Sequence, residues 1–374
     1  MPDSMKVVDL FSGVGGLSLS AVKAGFHLIG AVENDQRILD SHKANFPKVV
    51  HLAQDVSTLT GQSLSAAVHL KSDELAGLIG GPPCQGFSSI GRRNLKDNRN
   101  LLFLEFFRLV SELQPAFYLA ENVPGILQPQ YSKVRQSATQ LVEKNYQILE
   151  PIKIAAKDFG AATTRTRVFF IGVRKDVKGF DLLVDSIEQA KSKRPTVVKD
   201  ALAGLPINIS ENWIEYEDSW RLCDPSKFNS YVKSLNHFVD GLGEKKSINS
   251  FIKDKKISGC FGTHHTDEVT KRFQKLKPGQ QDSVSKAVRL KADGFCPTLR
   301  AGTDSSKGSY QAVRPIHHIK PRVITPREAA RLQGFPDWFQ FHETKWHSFR
   351  QIGNSVCPIV GEKVLSAIKN SLNM

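Results

Sequence analysis

Lys6-Val7-Val8-Asp9-Leu10-Phe11-Ser12-Gly13-Val14-Gly15-Gly16-Leu17-Ser18 is the stretch that decides the fold. A short apolar run, a glycine-rich turn and the start of a helical pattern follow one another without a break. Leu17, Ala21 and Ala24 give that helix an apolar face, and Gly25 ends it. Glycine lets a backbone bend tightly and come close to a ligand. A dinucleotide fingerprint reads GxGxxG; here Ser18 holds the third glycine position, so the fingerprint fails and a NAD-dependent oxidoreductase is excluded. Two readings remain: the turn of a nucleoside-type cofactor site, or a tight strand–helix turn that binds nothing. Glu33, at the end of the next strand, is placed to accept hydrogen bonds from ribose hydroxyls.

Outward from this unit the same alternation continues to about residue 180. Strand-like runs recur at Leu28–Val32, Gly77–Gly80, Ala116–Leu119 and Val168–Ile171, and Leu101–Val110 reads as a well-buried helix. Strands alternating with helices predict an α/β fold with a parallel sheet covered on both faces. Ligands of such sheets bind at the carboxyl ends of the strands. From about 181 to 325 the texture changes to short apolar runs among Lys, Ser, Asn and Asp, which predicts a second, irregular module. Its stretch Lys245–Lys291 is the most basic in the chain. A helical pattern returns after Pro326, and a last helix is expected over Ile359–Leu372.

The length of 374 residues suggests about two domains. No run near eighteen uncharged apolar residues occurs, so a membrane span is not expected. The first residues lack the basic and apolar regions of a secretory signal. Five cysteines without CxxC spacing indicate neither a disulfide framework nor a zinc site, and no metal is expected. A net charge of +14 favours a polyanionic partner over a merely solvated basic surface.

Three further motifs sit at expected strand ends. Gly80-Gly81-Pro82-Pro83-Cys84-Gln85 is a stiff loop that presents a thiol, a nucleophile if its thiolate or adduct is stabilised. A buried structural cysteine is the usual alternative, but it needs no such rigid presentation. Glu121-Asn122-Val123 places a carboxylate beside the cysteine strand, either to engage a heterocycle or to cap a turn. Arg165-Thr166-Arg167 puts two arginines on one face of an extended chain, for a phosphate or a base carbonyl, or as a plain edge pair.

In this order, and with Arg327-Glu328-Ala329-Ala330-Arg331-Leu332-Gln333-Gly334-Phe335-Pro336 and Gly353-Asn354-Ser355-Val356, these motifs resemble those of the cytosine-C5 DNA methyltransferases, stand-alone and restriction–modification-like. The resemblance spans nearly the whole chain. It implies a Rossmann-like S-adenosylmethionine-dependent methyltransferase sheet with a smaller irregular target-recognition domain. The catalytic domain would comprise residues 1–180 plus 340–374, and the recognition domain 181–339.

The resemblance also implies roles. Cys84 matches the nucleophile that adds to C6 of cytosine, and Glu121 the acid that engages N3 and the exocyclic amine. Arg165 matches the arginine on the cytosine carbonyl, and Arg167 a second, more structural one. For S-adenosylmethionine, Phe11 matches the residue packed on adenine, Gly13 and Gly15 the lining of the turn, Glu33 the ribose acid and Asp55 the adenine-amine acceptor. Asn354, Ser355 and Val356 match the late segment that completes the cofactor pocket. Ser88 to about Asn100, with Arg92 and Arg93, matches a loop that closes over DNA; Gln85 would fill the space a flipped base leaves, and Thr298 would end the recognition region. Two departures stand out: Thr163 replaces the usual Gln before the arginine pair, and Asn34 follows Glu33 where a bulkier or acidic residue is usual. The resemblance implies double-stranded DNA as partner, a monomer, a cytoplasmic, nucleoid-associated location and a cognate restriction endonuclease encoded separately. The alternatives are a transfer-RNA cytosine-C5 methyltransferase, for which Cys260-Phe261-Gly262 is a near miss to a Cys-Phe-Thr motif, and a nucleic-acid-binding module with a dead site.

Overall fold

A computed structural model of the chain describes residues 5–71, 74–83, 99–302 and 313–373. Its centre is an eight-stranded sheet in the order β3-β2-β1-β4-β5-β8-β6, with β7 also on β8. The strands are β1 Lys6–Leu10, β2 His27–Val32, β3 Val50–Leu52, β4 Leu75–Gly80, β5 Phe117–Asn122, β6 Tyr146–Ile148, β7 Ile152–Ala155 and β8 Thr166–Arg174. The helices of this part are α1 Gly16–Lys23, α2 Gln36–Asn45, α3 Gly61–Ala67, α4 Arg99–Leu113 and α5 Ser132–Val142. Strand order reverses between β1 and β4, and both run parallel, so their carboxyl ends form the crevice where α/β sheets bind ligands.

Alternation along the strands builds two apolar layers. Val7, Ile79, Phe117 and Leu119 face α1 and the C-terminal helix Pro358–Ser371. Val8, Leu10, Leu78, Tyr118 and Ala120 face α3, α4 and α5, where Phe103, Phe106, Phe107, Tyr118 and Tyr146 form a largely edge-to-face aromatic cluster. The expected fold class is therefore found, with one difference. Seven strands run the same way and β8 alone is reversed, so its pairs with β5, β6 and β7 are antiparallel. The connections explain it. The link from β7 to β8, with a single short turn at Ala156–Phe159, is too short for a helix to cross the sheet face.

The later, irregular stretch consists of short helices, among them Leu183–Gln189, Val198–Ala201, Ser230–Leu235, Lys245–Asp254 and Asp267–Lys275, and a two-stranded ribbon, Arg221–Leu222 with Lys256–Ile257. Its buried Tyr231, Val232, Ile257 and Leu290 join the same apolar layer as α1. The helix Pro326–Leu332 holds it together. Thr325 and Glu328 form a reciprocal capping box with Pro at the first turn. Arg327 donates to the carbonyls of Ser258, Pro336 and Phe339. Arg331 donates from Nε and Nη2 to the two carboxylate oxygens of Asp337 (2.7 and 2.6 Å) and from Nη1 to the carbonyls of Ala201 and Ala203. Both members of the ion pair are fully buried.

Breaking a buried pair from one side strands the other charge. Asp337→Ala is expected to cost about 3–5 kcal/mol, by the same reasoning, in urea unfolding followed by fluorescence. A loss below about 1 kcal/mol, the scale of an exposed pair, would show that the clamp is not needed.

Candidate active site

A cleft of about 330 Å³ opens at the β1/β4 crevice. One wall is the turn after β1. Ser12 N–H donates to the carbonyl of Val32 and Gly15 N–H to that of Ser12, both at 3.0 Å, which ties the turn to β2 and to itself. Phe11 has φ +55°, a left-handed conformation costing a non-glycine residue about 1–3 kcal/mol and found mostly at ligand sites. Gly15 needs its glycine: φ is +102°, and a Cβ there would collide with the Phe46 ring.

The opposite wall comes from the other end of the chain, the helix Lys345–Asn354 and the residues after it. Gly16 lies so close to this segment that a Cβ would strike Ser355 Oγ and the Val356 carbonyl. Arg165 Nη1 donates to the Gly353 carbonyl at 2.8 Å and fixes the same segment from behind.

Acids line the cleft. Glu33 accepts from the backbone N–H groups of Gly13 (3.1 Å) and Asp35 (3.0 Å); burial raises its pKa, and those two bonds oppose the rise. Asp9 is fully buried at the floor. Burial, partly offset by Ser18, pushes it up to about 7. Asp55 caps a short turn through Ser57 and is exposed at the rim. Three buried polar atoms of the cleft residues, Asp9 Oδ1, Ser12 Oγ and Glu121 Oε1, make no hydrogen bond among the described residues. Such orphans are uncommon and mark places where a ligand can bind.

Glu121 ends β5 at the far side of the cleft. Arg167 Nε lies 2.7 Å from its Oε1, yet that oxygen accepts no hydrogen bond among the described residues. The contact is a charge pair whose direction leaves the carboxylate open to another donor. Asn122 beside it donates from Nδ2 to the Pro82 carbonyl at 3.3 Å and accepts from Val123 N–H, so β5 holds the Gly81-Pro82-Pro83 loop in place. Pro83, the last described residue before Cys84, lines the cleft.

The cleft thus gathers Phe11, Gly13, Glu33, Asp55, Asn354, Ser355 and Val356 with Glu121 and Arg167. Gly15 lies outside it, against Phe46. Arg165 lies just before β8 rather than within it and lines a small adjoining hollow with Arg167 and Val356. Thr298 is exposed and away from the cleft. Its segment pairs with the one before the arginines: Cys296 N–H donates to the Ala162 carbonyl and Thr164 N–H to that of Cys296. The buried hydroxyl of Thr163 accepts from Arg165 N–H at 3.3 Å, a bond in the strand's own loop. Cys84, Gln85, Ser88, Arg92 and Arg93 lie outside the described residues. Asp9, Asn122 and Arg350 were not singled out. A carboxylate inside the apolar run Val7–Leu10 is the one signal that marks Asp9 in advance.

A family model described as C-5 cytosine-specific DNA methylase matches residues 5–370. The chain belongs to that family. It is 36% identical to the type II methyltransferase M.XorII of Xanthomonas oryzae pv. oryzae, over 98% of this chain and 84% of that protein. It is 32% identical to the type II methyltransferase M1.HphI of Haemophilus parahaemolyticus, over 98% and 87%. A crystal structure of a prophage-encoded E. coli protein, described as a DNA modification methyltransferase, superposes with a TM-score of 0.87 at 48% identity, covering 99% of this chain and 100% of the other. This methylase is accordingly a DNA (cytosine-5-)-methyltransferase by family. Among its described residues no helix is long and apolar enough to cross a membrane, and no cluster of His, Cys, Asp and Glu is arranged to hold a metal ion.

The contact at Gly16 gives a direct test of how the methylase joins its two ends. Gly16→Ala is expected to lower stability by about 1–3 kcal/mol, the usual cost of overpacking, because one of the clashing atoms is backbone. Thermal unfolding checks it; an unchanged midpoint would mean that the C-terminal segment yields freely.

Proposed function

We propose that this methylase transfers a methyl group from S-adenosylmethionine to C5 of a cytosine flipped out of double-stranded DNA, through a covalent adduct on Cys84, as the modification enzyme of a type II restriction–modification system. One observation carries the reading: Asp9 of β1 and Glu33 just after β2 share a single cleft with the Glu121–Arg167 pair and with the loop that leads to Cys84.

The cleft fits the cofactor. S-adenosylmethionine is cationic at sulfur, and the surplus of carboxylates together with the orphaned Asp9 Oδ1 suits a cation. Glu33 would hold the ribose hydroxyls, Phe11 would pack on the adenine and Asp55 would take its amino group. Asn354, Ser355 and Val356 would close over the rest, with Gly13 keeping the backbone near. When bound, the cofactor supplies an electrophilic methyl group.

The protein's task is to make C5 of cytosine able to attack it. Cys84 as thiolate forms a bond to C6, and the displaced electron pair spreads over C5, N3 and the carbonyl. Glu121 would give a proton to N3 and accept from the exocyclic amine, offsetting that charge, and would take the proton back once C5 is methylated, while Arg167 holds its carboxyl group in position. Arg165, tied to Gly353, supports the carbonyl side of the base pocket. After C5 gains its methyl group, loss of the C5 proton restores the ring, and the S–C6 bond breaks with return of the thiolate.

A base must leave the duplex to reach this cleft, at about a few kcal/mol of unstacking. Gln85 would occupy the gap, Ser88, Arg92 and Arg93 would close on the backbone, and Thr298 and the basic stretch to Lys291 would meet the DNA from the recognition side. The names of the relatives support a restriction–modification setting and a separately encoded endonuclease, and they do not favour a transfer-RNA substrate.

Bisulfite sequencing of DNA from cells expressing the chain is expected to show one methylated sequence word. Cys84→Ser should abolish the signal while calorimetric binding of S-adenosylmethionine persists; retained methylation would remove the nucleophile from the scheme. Glu121→Gln is expected to slow turnover by about 10²–10⁴-fold, the range for a general acid–base group. A near-normal rate would sink that role.

A further inference from the structure

Asp9 sits in β1 between Val8 and Leu10, and its side chain takes the face of Val7, toward α1. From there a line of hydrogen bonds runs to the outer strand. Ser18 Oγ, on α1, donates to Asp9 Oδ2 at 2.6 Å. His42 Nε2, on α2, lies 2.9 Å from Ser18 Oγ. His51 Nε2, on β3, lies 2.9 Å from His42 Nδ1. Since Ser18 gives its hydrogen to Asp9, its oxygen accepts from His42 Nε2–H. His42 Nδ1 then carries the lone pair and accepts from His51 Nε2–H. In this reading all three bonds point inward, and Ser18 and His42 each accept one and donate one. Asp9, Ser18 and His42 are fully buried, and His51 is half-exposed at the outer strand. The other oxygen of Asp9, Oδ1, is buried, has no hydrogen bond among the described residues and belongs to a residue lining the cleft.

A structural role alone does not require this arrangement. A buried carboxylate held only by the hydroxyl and backbone N–H of Ser18, with its second oxygen bare in a residue that lines the cleft, is costly unless something completes it. We propose that Asp9 is a further residue of the cofactor site, where Oδ1 reads the positive charge of the methyl donor, and that Ser18, His42 and His51 are positioning residues that exchange its proton with solvent. The inference rests on S-adenosylmethionine being the ligand of the cleft.

The chemistry follows from the difference between donor and product. The donor carries a sulfonium charge; S-adenosylhomocysteine carries a neutral thioether. An ionised Asp9 favours the first, and a protonated Asp9 distinguishes them little. Burial, opposed by the Ser18 bonds and aided by the charge of Glu33 at the end of β2, brings Asp9 to about 7. It therefore changes ionisation near neutral pH. From β4 the register neighbour is Ile79, which brings no charge. From α2 and β3 the facing groups are His42 and His51. Burial lowers both; at His51 a hydrogen bond with the Val49 backbone opposes the lowering and Lys43 adds to it. When the charge at sulfur is gone, Asp9 takes up a proton from Ser18, Ser18 from His42 and His42 from His51, which refills from solvent. Each hydrogen moves one place along an existing bond, and nothing else is needed.

The test is calorimetric binding of S-adenosylmethionine and S-adenosylhomocysteine to the full chain between pH 6 and 8. Asp9→Asn supplies the baseline that includes the ligands' own titration. For the unaltered chain, the preference for the donor over the product is expected to rise about fivefold beyond that baseline, as a midpoint difference of about one unit between the two complexes gives. Ser18→Ala removes a bond that favours the ionised form, so the rise should move to higher pH. Curves that coincide for the unaltered chain and Asp9→Asn would overturn the proposal. If Asp9→Asn does not fold, Ser18→Ala decides alone, and an unmoved rise would overturn it. Failure of the unaltered chain to bind either ligand would instead sink the cofactor reading itself, and this inference with it.

Discussion

The contact between Gly16 and the backbone of Val356 is the constraint on which the cleft depends. Only a residue without a Cβ lets the start of α1 come so near the segment after the helix Lys345–Asn354. One wall is built from residues 9–17 and the other from residues 350–356, and neither makes a pocket alone. The sheet supplies the place, because strand order reverses between β1 and β4. The C-terminal segment supplies the lid of that place. Arg165, through the Gly353 carbonyl, fixes the segment from the side of β8. Three distant stretches thereby meet around one volume.

The electrostatics of that volume run against those of the whole chain. The chain carries +14, yet its cleft is lined by Asp9, Glu33, Asp35, Asp55 and Glu121 against Arg167 and Arg350. Arg167 is spent on Glu121. Arg350 stands 3.9 Å from Asp35, whose carboxylate is already gripped by Arg37. A polyanion and a cationic small molecule ask for opposite potentials. The chain separates the two potentials by place: the basic residues of the later stretch are mostly at the surface, while the acids gather around the cleft, from buried Asp9 and Glu121 to exposed Asp55 at its rim.

Much of the fold is legible because its signals are local. Val7–Leu10, Leu28–Val32, Gly77–Gly80 and Val168–Val173 are apolar runs of strand length between glycines and polar turns, and all lie in strands. β3, β6 and β7 are three or four residues long and only partly buried, so their composition carries little. Strand direction is invisible in a run such as Val168–Val173, because a strand buried on both faces reads alike either way. The later stretch hides its organisation for another reason. Its order comes from buried arginines that bind backbone carbonyls, and no apolar period announces such contacts. In the cleft, glycine spacing and the motifs pointed to residues that do line one volume. The array Asp9–Ser18–His42–His51 did not stand out, because its members come from four elements and none makes a motif.

The arginine pair shows how one strand end can serve two sides of a reaction. Alternate positions of an extended chain share a face, which led to the expectation of a common site. The residues do adjoin one hollow, but their partners differ: Gly353 for Arg165, Glu121 for Arg167. The first belongs to the wall that would close on the cofactor, the second to the carboxylate that would meet the base. Thr166 between them starts β8, whose ladder with β5 sets Glu121 opposite Phe169. A shift of β8 relative to β5 would therefore move the carboxylate and loosen the C-terminal wall together. The bridge from Thr163 to Cys296 adds the later stretch to the same strand end. Any movement there has a direct mechanical route to both walls of the cleft, because Thr163 lies two residues before Arg165 and four before Arg167.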